Sequence, residues 1–176
     1  MDAGDPELAA EIRALLREIV LAAPGNDPKA LIFDGASSFM LWGGIVLSTG
    51  GGNSALRMVE KIVHESSHNL LFGLSTDSTL VENSDDEVFS SPLRRDPRPM
   101  DGIYHAAFVL ARVHRAVRRL LDSGVLSPSS QEEARKELAE NKRLFDNAIK
   151  VVREHGKLTS LGKAIMQGAV NYMATA

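Results

Sequence analysis

Apolar side chains recur every three to four residues in five stretches of this chain, a pattern typical of helices with one buried face. The first stretch covers residues 6–23, where Asp5 can cap the helix and Pro6 suits its first turn. The other four are predicted over residues 54–74, 100–121, 128–155 and 160–173. Gly156 follows the fourth stretch and is expected to end it.

Shorter apolar runs predict strands between these helices. The clearest is Gly44–Ser48, and residues 31–33, 79–81 and 87–90 are further candidates. Asp34-Gly35 is a turn signal, and the prolines within residues 91–99 exclude a regular helix or an inner strand there. We therefore expect a single, mainly helical α+β domain over residues 1–176, with a small sheet.

Composition narrows the class of protein. A chain of 176 residues with 44% hydrophobic and 24% charged residues is typical of a globular domain. A net charge of −3 does not indicate nucleic-acid or anionic-membrane partners, and the longest apolar run, residues 39–47, is too short to span a bilayer. The absence of cysteine excludes disulfides and thiolate chemistry and fits a cytoplasmic protein, and the acidic N-terminus is unlike a signal peptide.

The second predicted helix carries the sequence His64-Glu65-Ser66-Ser67-His68, which has the form HExxH. Residues four apart lie on one helix face, so both imidazoles can reach one metal ion, and Glu65 can contact a metal-bound water. The alternative to a metal site is that the chain matches HExxH by chance, because only three residues of the motif are fixed. Both histidines follow the apolar phase of the helix, which favours a metal site on this central helix.

A third ligand is expected from the helix over residues 100–121. His105 is in phase with the apolar stripe of that helix, whereas His114, nine residues later, points the opposite way and lies among arginines, so it is predicted to be solvated. His155 lies at a helix end, where its charge favours the helix dipole. His105 is therefore the predicted third ligand, with a satisfied core histidine as the alternative and Asp101 and Glu82 as further candidates.

The extended zinc-peptidase motif HExxHxxGxxH is not present, because Leu71 and Leu74 stand where it requires glycine and histidine. A zinc peptidase with Glu65 as general base remains an alternative. Arg94 and Arg98 lie on the proline-rich segment shortly before the third helix. A guanidinium binds a carboxylate through two parallel hydrogen bonds, so these arginines suit a 2-oxo acid that chelates the metal. The alternative interpretation is that these arginines form ion pairs with nearby aspartates on the protein surface.

The order of these motifs resembles the HExxH-motif family of 2-oxoglutarate-HExxH-type peptide β-hydroxylases. The resemblance rests on residues 63–69, on the segment SPLR-x-DPRP at residues 91–99, and on Gly-Ile-Tyr-His-Ala at residues 102–106. It implies an iron(II) dioxygenase that uses 2-oxoglutarate and dioxygen to hydroxylate the β-carbon of an amino-acid or peptide side chain, commonly in natural-product biosynthesis. The site residues it implies are His64, His68 and His105 for iron, and Arg98, Arg94 and Ser91 for 2-oxoglutarate. Arg98 is favoured for the distal carboxylate of 2-oxoglutarate, because it lies between two prolines and only seven residues before His105.

Besides the oxygenase and the zinc peptidase, a third hypothesis is a catalytically silent helical binding module with a structural metal. The sequence leaves the substrate open between a peptide, a carrier-bound amino acid and a free amino acid. It also leaves open the oligomeric state, with a homodimer as one option.

Overall fold

The computed structural model describes residues 1–23, 33–50, 54–91 and 93–176. These residues form five helices and five short strands, consistent with the mainly helical α+β fold expected from the sequence. The helices are α1 (Pro6–Leu15), α2 (Ala55–Leu74), α3 (Met100–Asp122), α4 (Pro128–His155) and α5 (Ser160–Ala174). The strands are β1 (Glu18–Ala22), β2 (Gly35–Ser37), β3 (Gly44–Ser48), β4 (Val88–Phe89) and β5 (Arg98–Pro99), with a 3-10 turn at Phe39–Leu41.

The first helix is shorter than the sequence predicts. Its start is confirmed, since Asp5 accepts a hydrogen bond from Leu8 N (3.0 Å) and proline occupies the first turn. The helix ends at Leu15, however, and the predicted second half is β1, which pairs in parallel with β3. The prediction of one helix over 6–23 was wrong because a neighbouring strand, distant in sequence, satisfies the backbone groups of this β-branched, apolar run.

The small sheet has the strand order β1-β3-β2, with β2 antiparallel to β3. The predicted strand at Gly44–Ser48 is confirmed and is the central one. Gly35 begins β2, so the expected turn at Asp34-Gly35 is wrong, and the connection to β3 instead passes through the 3-10 turn and Gly43, whose φ is +87°. In the strand predicted at 31–33, the first two residues lie outside the described residues, and Phe33 belongs to no strand.

Helix α2 packs between this sheet and α3. It begins where predicted, with Ser54 as its cap (Arg57 N to Ser54 Oγ, 3.1 Å), and it ends at Leu74 as predicted. Ile45 and Leu47 of β3 are almost completely buried, which places their side chains on the inner face of the sheet. The HExxH sequence therefore lies on a helix that is held on both sides.

Helix α3 lies at the centre of the protein and contributes to both of its hydrophobic clusters. One cluster joins α3 to α4 and α5 through residues such as Tyr104, Phe145 and Met166, all buried. The other joins α3 to α1, α2 and α4 through residues such as Leu8 and Val63. The predicted bounds of α3, α4 and α5 are confirmed to within one residue. Side-chain caps at Ser127 and Thr159 begin α4 and α5, whereas α3 follows Pro99 without a side-chain cap and is defined by its apolar stripe.

The segment between α2 and α3 has little regular structure. The strand predicted at 87–90 is confirmed as β4, which pairs with β5 at the end of the proline-rich segment. The strand predicted at 79–81 is wrong, because Val81 makes only an isolated bridge to Leu158. Across the described ranges, no helix is long and apolar enough to cross a membrane.

Candidate metal centre

Helix α2 presents His64 and His68 one turn apart on the same side. Their ring centroids are 5.1 Å apart, with the ring planes at 62°. Phe72, one further turn along, stacks on His68 at a centroid distance of 6.3 Å. This spacing follows from the i, i+4 geometry of the helix that the sequence predicts.

The packing of α2 against α3 brings His105 to the same place. The His105 ring lies 5.3 Å from the His68 ring, nearly parallel to it at 21°, and the two Nδ1 atoms are 3.1 Å apart. The structure therefore brings together the three histidines that the sequence singles out, although His105 is 37 residues after His68 in the chain.

The distance between the two nitrogen atoms fits a shared metal ion. With metal–nitrogen bonds of about 2.1 Å, two imidazole nitrogens bound to one ion at 90–110° are separated by about 3.0–3.4 Å. The observed 3.1 Å between His68 and His105 lies in this range. A hydrogen bond between the neutral rings would give a similar distance. In the part of the chain that the structure describes, no group of three or more His, Cys, Asp or Glu side chains is arranged so that it could hold a metal ion.

Burial keeps the three imidazoles neutral, which is the form that binds metal. It lowers the pKa of His64 and of His105, and it lowers the pKa of His68 to about 3, with the neighbouring His64 and His105 adding to the effect. Three partly buried, uncharged imidazoles have nitrogen donors of the kind that iron and zinc prefer.

Asp101 lies one turn before His105 on α3. Its Oδ1 is 3.7 Å from His105 Nε2, the ring nitrogen not facing His68, which is too long for a direct hydrogen bond. Asp101 therefore acts on His105 through its charge, which opposes the lowering of the His105 pKa by burial, and no hydrogen bond between them holds the ring. Glu82, the other candidate ligand, is exposed, and its backbone N–H donates to Lys157 O beside the end of α4.

Glu65 is buried and faces the sheet. Its Oε2 accepts a 2.7 Å hydrogen bond from Ser37 Oγ of β2, and a side chain at Gly35 would approach Glu65 Oε1 to 2.6 Å. Burial raises the pKa of the Glu65 carboxyl, while the Ser37 hydrogen bond opposes that rise. Glu65 therefore has a fixed position and a carboxyl that takes up a proton more readily than an exposed one.

Sequence analysis missed Asn69, which fastens the sheet to α2. Its side chain accepts from Gly43 N (2.7 Å) and donates to Gly44 O (3.4 Å) and Glu65 O (3.2 Å). The backbone carbonyl of Asn69 accepts a hydrogen bond from Trp42 Nε1 at 3.0 Å. The sequence did contain a signal for this role, because an asparagine stands directly after HExxH on a helix face that is expected to be buried. A buried side-chain amide needs several hydrogen-bond partners, which indicates a structural contact.

Among the described residues, Arg94 acts electrostatically on His64, as the smallest of the causes of its pKa shift, and on neither of the other two clustered histidines. Burial is the main cause of the lowered pKa of His64, the charges of Arg57 and Arg94 lower it further, and Asp34 opposes them. Arg94 is exposed, so its guanidinium is available to an anion that approaches His64.

Arg98 and Ser91, the other residues predicted to bind a cosubstrate, have other contacts. Arg98 Nε is 3.0 Å from Asp96 Oδ2 without a hydrogen-bonding angle, so this buried N–H is paired by charge alone. Within the described residues, Arg98 does not figure among the charges that shift the pKa of the three histidines. Ser91 Oγ accepts from Leu93 N at 3.4 Å in a local turn.

The other two histidines lie away from the cluster. His114 is only 2% exposed, and its Nδ1 is 2.9 Å from the Tyr172 hydroxyl of α5, so the prediction that it is solvated was wrong. The arginines near it in sequence misled the prediction, because the ring turns inward to Tyr172 although charged residues flank it along the helix. His155 is exposed at the end of α4, as predicted, and stacks on Phe89 at 5.1 Å.

Comparisons of the sequence with models of known protein families and with curated proteins find no match.

Proposed function

We propose that this protein is a mononuclear non-haem iron(II) enzyme that uses 2-oxoglutarate and dioxygen to hydroxylate the side chain of an amino acid or peptide. The contact that carries the proposal is the 3.1 Å approach of His68 Nδ1 and His105 Nδ1, beside the His64 ring. His64, His68 and His105 would hold the metal. When bound, iron with its cosubstrates supplies the oxidising chemistry, which protein side chains alone do not provide.

The position of Arg94 favours an anionic cosubstrate near the histidines. Its charge acts on His64, and a metal with three protein ligands keeps further positions open for a chelating 2-oxo acid. The sequence favoured Arg98 for the distal carboxylate of 2-oxoglutarate. Because the Arg98 guanidinium already lies beside Asp96, we now favour Arg94 for this role and place Arg98 in support of the segment.

The remaining residues would position and shield the reacting groups. Phe72 packs against the rings of both His68 and His105 (6.3 and 5.8 Å between centroids), which limits the access of water on that side. Glu65, held by Ser37, would accept a proton or a hydrogen bond from a bound water or a substrate amine. Neither role requires Glu65 to act as a hydrolytic base.

The test is anaerobic titration of the metal-free protein with iron(II) and then with 2-oxoglutarate. A weak visible charge-transfer band, followed by succinate formation when air is admitted, is the expected result. Zinc-dependent peptide hydrolysis without succinate would establish the peptidase instead. Tight metal binding with neither activity would indicate a structural metal and would equally overturn the proposal.

A further inference from the structure

The outer face of the small sheet, opposite α2, carries an exposed apolar groove of about 440 Å³. Ile45 and Leu47 point inward, so by alternation Gly44 and Val46 of β3 point outward, next to Val20 of β1 and Ala36 of β2 in the strand register. These outward residues line the floor of the groove, and the segment from Ser38 to Gly43 forms one wall.

This wall is built from large apolar side chains that face solvent. Met40 is 87% exposed, Leu41 66% and Trp42 58%, and Val20 on the floor is 45% exposed. At roughly 200 Å² for each large side chain, these four expose about 500 Å² of apolar surface. A patch of this size is near the largest found on typical monomers, which indicates an interaction surface.

The exposed side chains project from an anchored segment. Trp42 donates to Asn69 O, its ring lies against Gly73, and Ser38 caps the 3-10 turn by accepting from Met40 N (3.3 Å). Little ordering is therefore needed when a partner covers the surface, which favours a preformed interface.

The shape and charges of this surface suit a second copy of itself. Met40, the most exposed of the large apolar residues, lines the groove, whose volume of about 440 Å³ is larger than a methionine side chain, so a suitably placed two-fold axis would let each Met40 enter the groove of the other copy. Arg17 and Glu18 line the same groove and carry opposite charges, which pair across such an axis. The ~500 Å² of exposed apolar surface matches the apolar part of a standard interface, which buries ~800 Å² per partner with somewhat over half of it apolar.

We propose that a second copy of this chain covers the outer face of the sheet, forming a two-fold dimer in which Met40 and Leu41 of each copy fill the groove of the other. The dimer does not depend on the metal or on the oxygenase proposal. It places the two histidine clusters on the far sides of the paired sheets, because α2 packs on the inner face.

Sedimentation velocity from 1 to 100 µM tests the dimer. We expect a species of twice the 19.1 kDa chain mass for the wild type, and a 19.1 kDa species for Met40→Asp and for Leu41→Arg. The matched control is Val125→Asp, which changes a residue 57% exposed outside this face and should leave the dimer intact. Thermal melts by circular dichroism verify that each variant is folded.

Since the chain has no cysteine, a single Ala36→Cys substitution on the groove floor provides a second measurement. Its maleimide labelling should slow by several-fold, up to the limit of about tenfold that mass action allows between 1 and 100 µM, and the added Met40→Asp change should abolish that protection. A wild type that remains at 19.1 kDa at 100 µM, variants that remain dimeric, or a groove cysteine labelled at one rate throughout would each overturn the proposal.

Discussion

At the scale of single residues, burial holds the three histidines in the neutral form that a metal would bind. Each of His64, His68 and His105 has a pKa lowered mainly by burial, so near neutral pH a metal does not compete with protons for their nitrogen atoms.

We predict that replacing His64, His68 or His105 by alanine lowers metal affinity at least ~10-fold, because each removes a direct ligand. Metal content of the purified variants, measured after dialysis against a fixed free metal concentration, is the readout. His155→Ala and His114→Ala are the controls and should keep the metal, although His114→Ala should be less stable because Tyr172 loses its buried partner. If the His105→Ala variant kept its full metal content, His105 would not be a metal ligand.

Arg94 and Arg98 make a matched pair for the cosubstrate. If Arg94 binds the distal carboxylate, Arg94→Ala should raise the KM for 2-oxoglutarate about tenfold or more, while iron binding is unchanged; solvent exposure limits the size of the effect. Arg98→Ala should change this KM less. A large effect in Arg98→Ala alone would restore the assignment that the sequence favoured, and no effect in either would place the cosubstrate elsewhere.

At the scale of elements, α2 carries a buried and incompletely paired carboxyl group, Glu60, on its side towards α4. Glu60 is 6% exposed, and its Oε1 has no hydrogen-bond partner among the described residues. Burial and the neighbouring Glu137 and Glu133 raise its pKa to about 7, although Arg57 at 3.2 Å opposes the rise. The helix that holds the histidines is therefore less firmly held to α4 when Glu60 is ionised.

The stability of the fold should consequently depend on pH through Glu60. Its pKa in the folded protein lies above the ordinary value of 4.5, so its stabilising effect is complete below pH 4.5 and is lost as the pH rises through about 7. The difference corresponds to at most about 3 kcal/mol. Glu60→Gln should thus gain stability over the wild type between pH 4.5 and 8, measured by urea unfolding. Glu140→Gln, at an exposed pair with Arg143, should show no such gain.

The attachment of the sheet to α2 depends on Asn69. Asn69→Ala leaves the buried N–H of Gly43 without a partner, and we expect a loss of about 2–3 kcal/mol in the free energy of unfolding of the metal-free protein. Asn147→Ala, on the exposed side of α4, is the control and should change stability by less than about 0.5 kcal/mol. Equal stability of the two variants would contradict the anchoring role.

At the scale of the whole molecule, the histidine cluster joins two helices that both belong to the core. A metal bound by His64 and His68 of α2 and by His105 of α3 would bind only the folded protein, because the contact depends on the packing of these helices. The site should therefore act as a cross-link within the fold.

Metal removal should accordingly lower the Tm. A metal at 100 times its Kd adds about 2.7 kcal/mol, which corresponds to roughly 5–10 °C for a domain of this size. Differential scanning calorimetry of the protein with and without chelator measures this shift. His155→Ala should retain the shift and His105→Ala should lose most of it; the same shift in both would show that the metal binds elsewhere.

Local patterns in the sequence determined the helical elements and two of the three clustered histidines. The bounds of α2 to α5 follow from caps and apolar periodicity, and His64 and His68 lie together because an i, i+4 spacing on one helix places them so. The phase of His105 indicated an inward position, and the helix packing confirms that it meets His68.

Only the tertiary structure decided the features that depend on distant partners. The run after Leu15 is a strand because β3 pairs with it, and His114 is buried because Tyr172 of α5 meets its ring. Likewise, the positions of Arg94 and Arg98 relative to the histidines depend on the path of the proline-rich segment, which connects α2 to α3 along the chain. The reason is common to all three: hydrogen bonds and charges between segments far apart in sequence outweigh local preferences that differ by less than about 1 kcal/mol per residue.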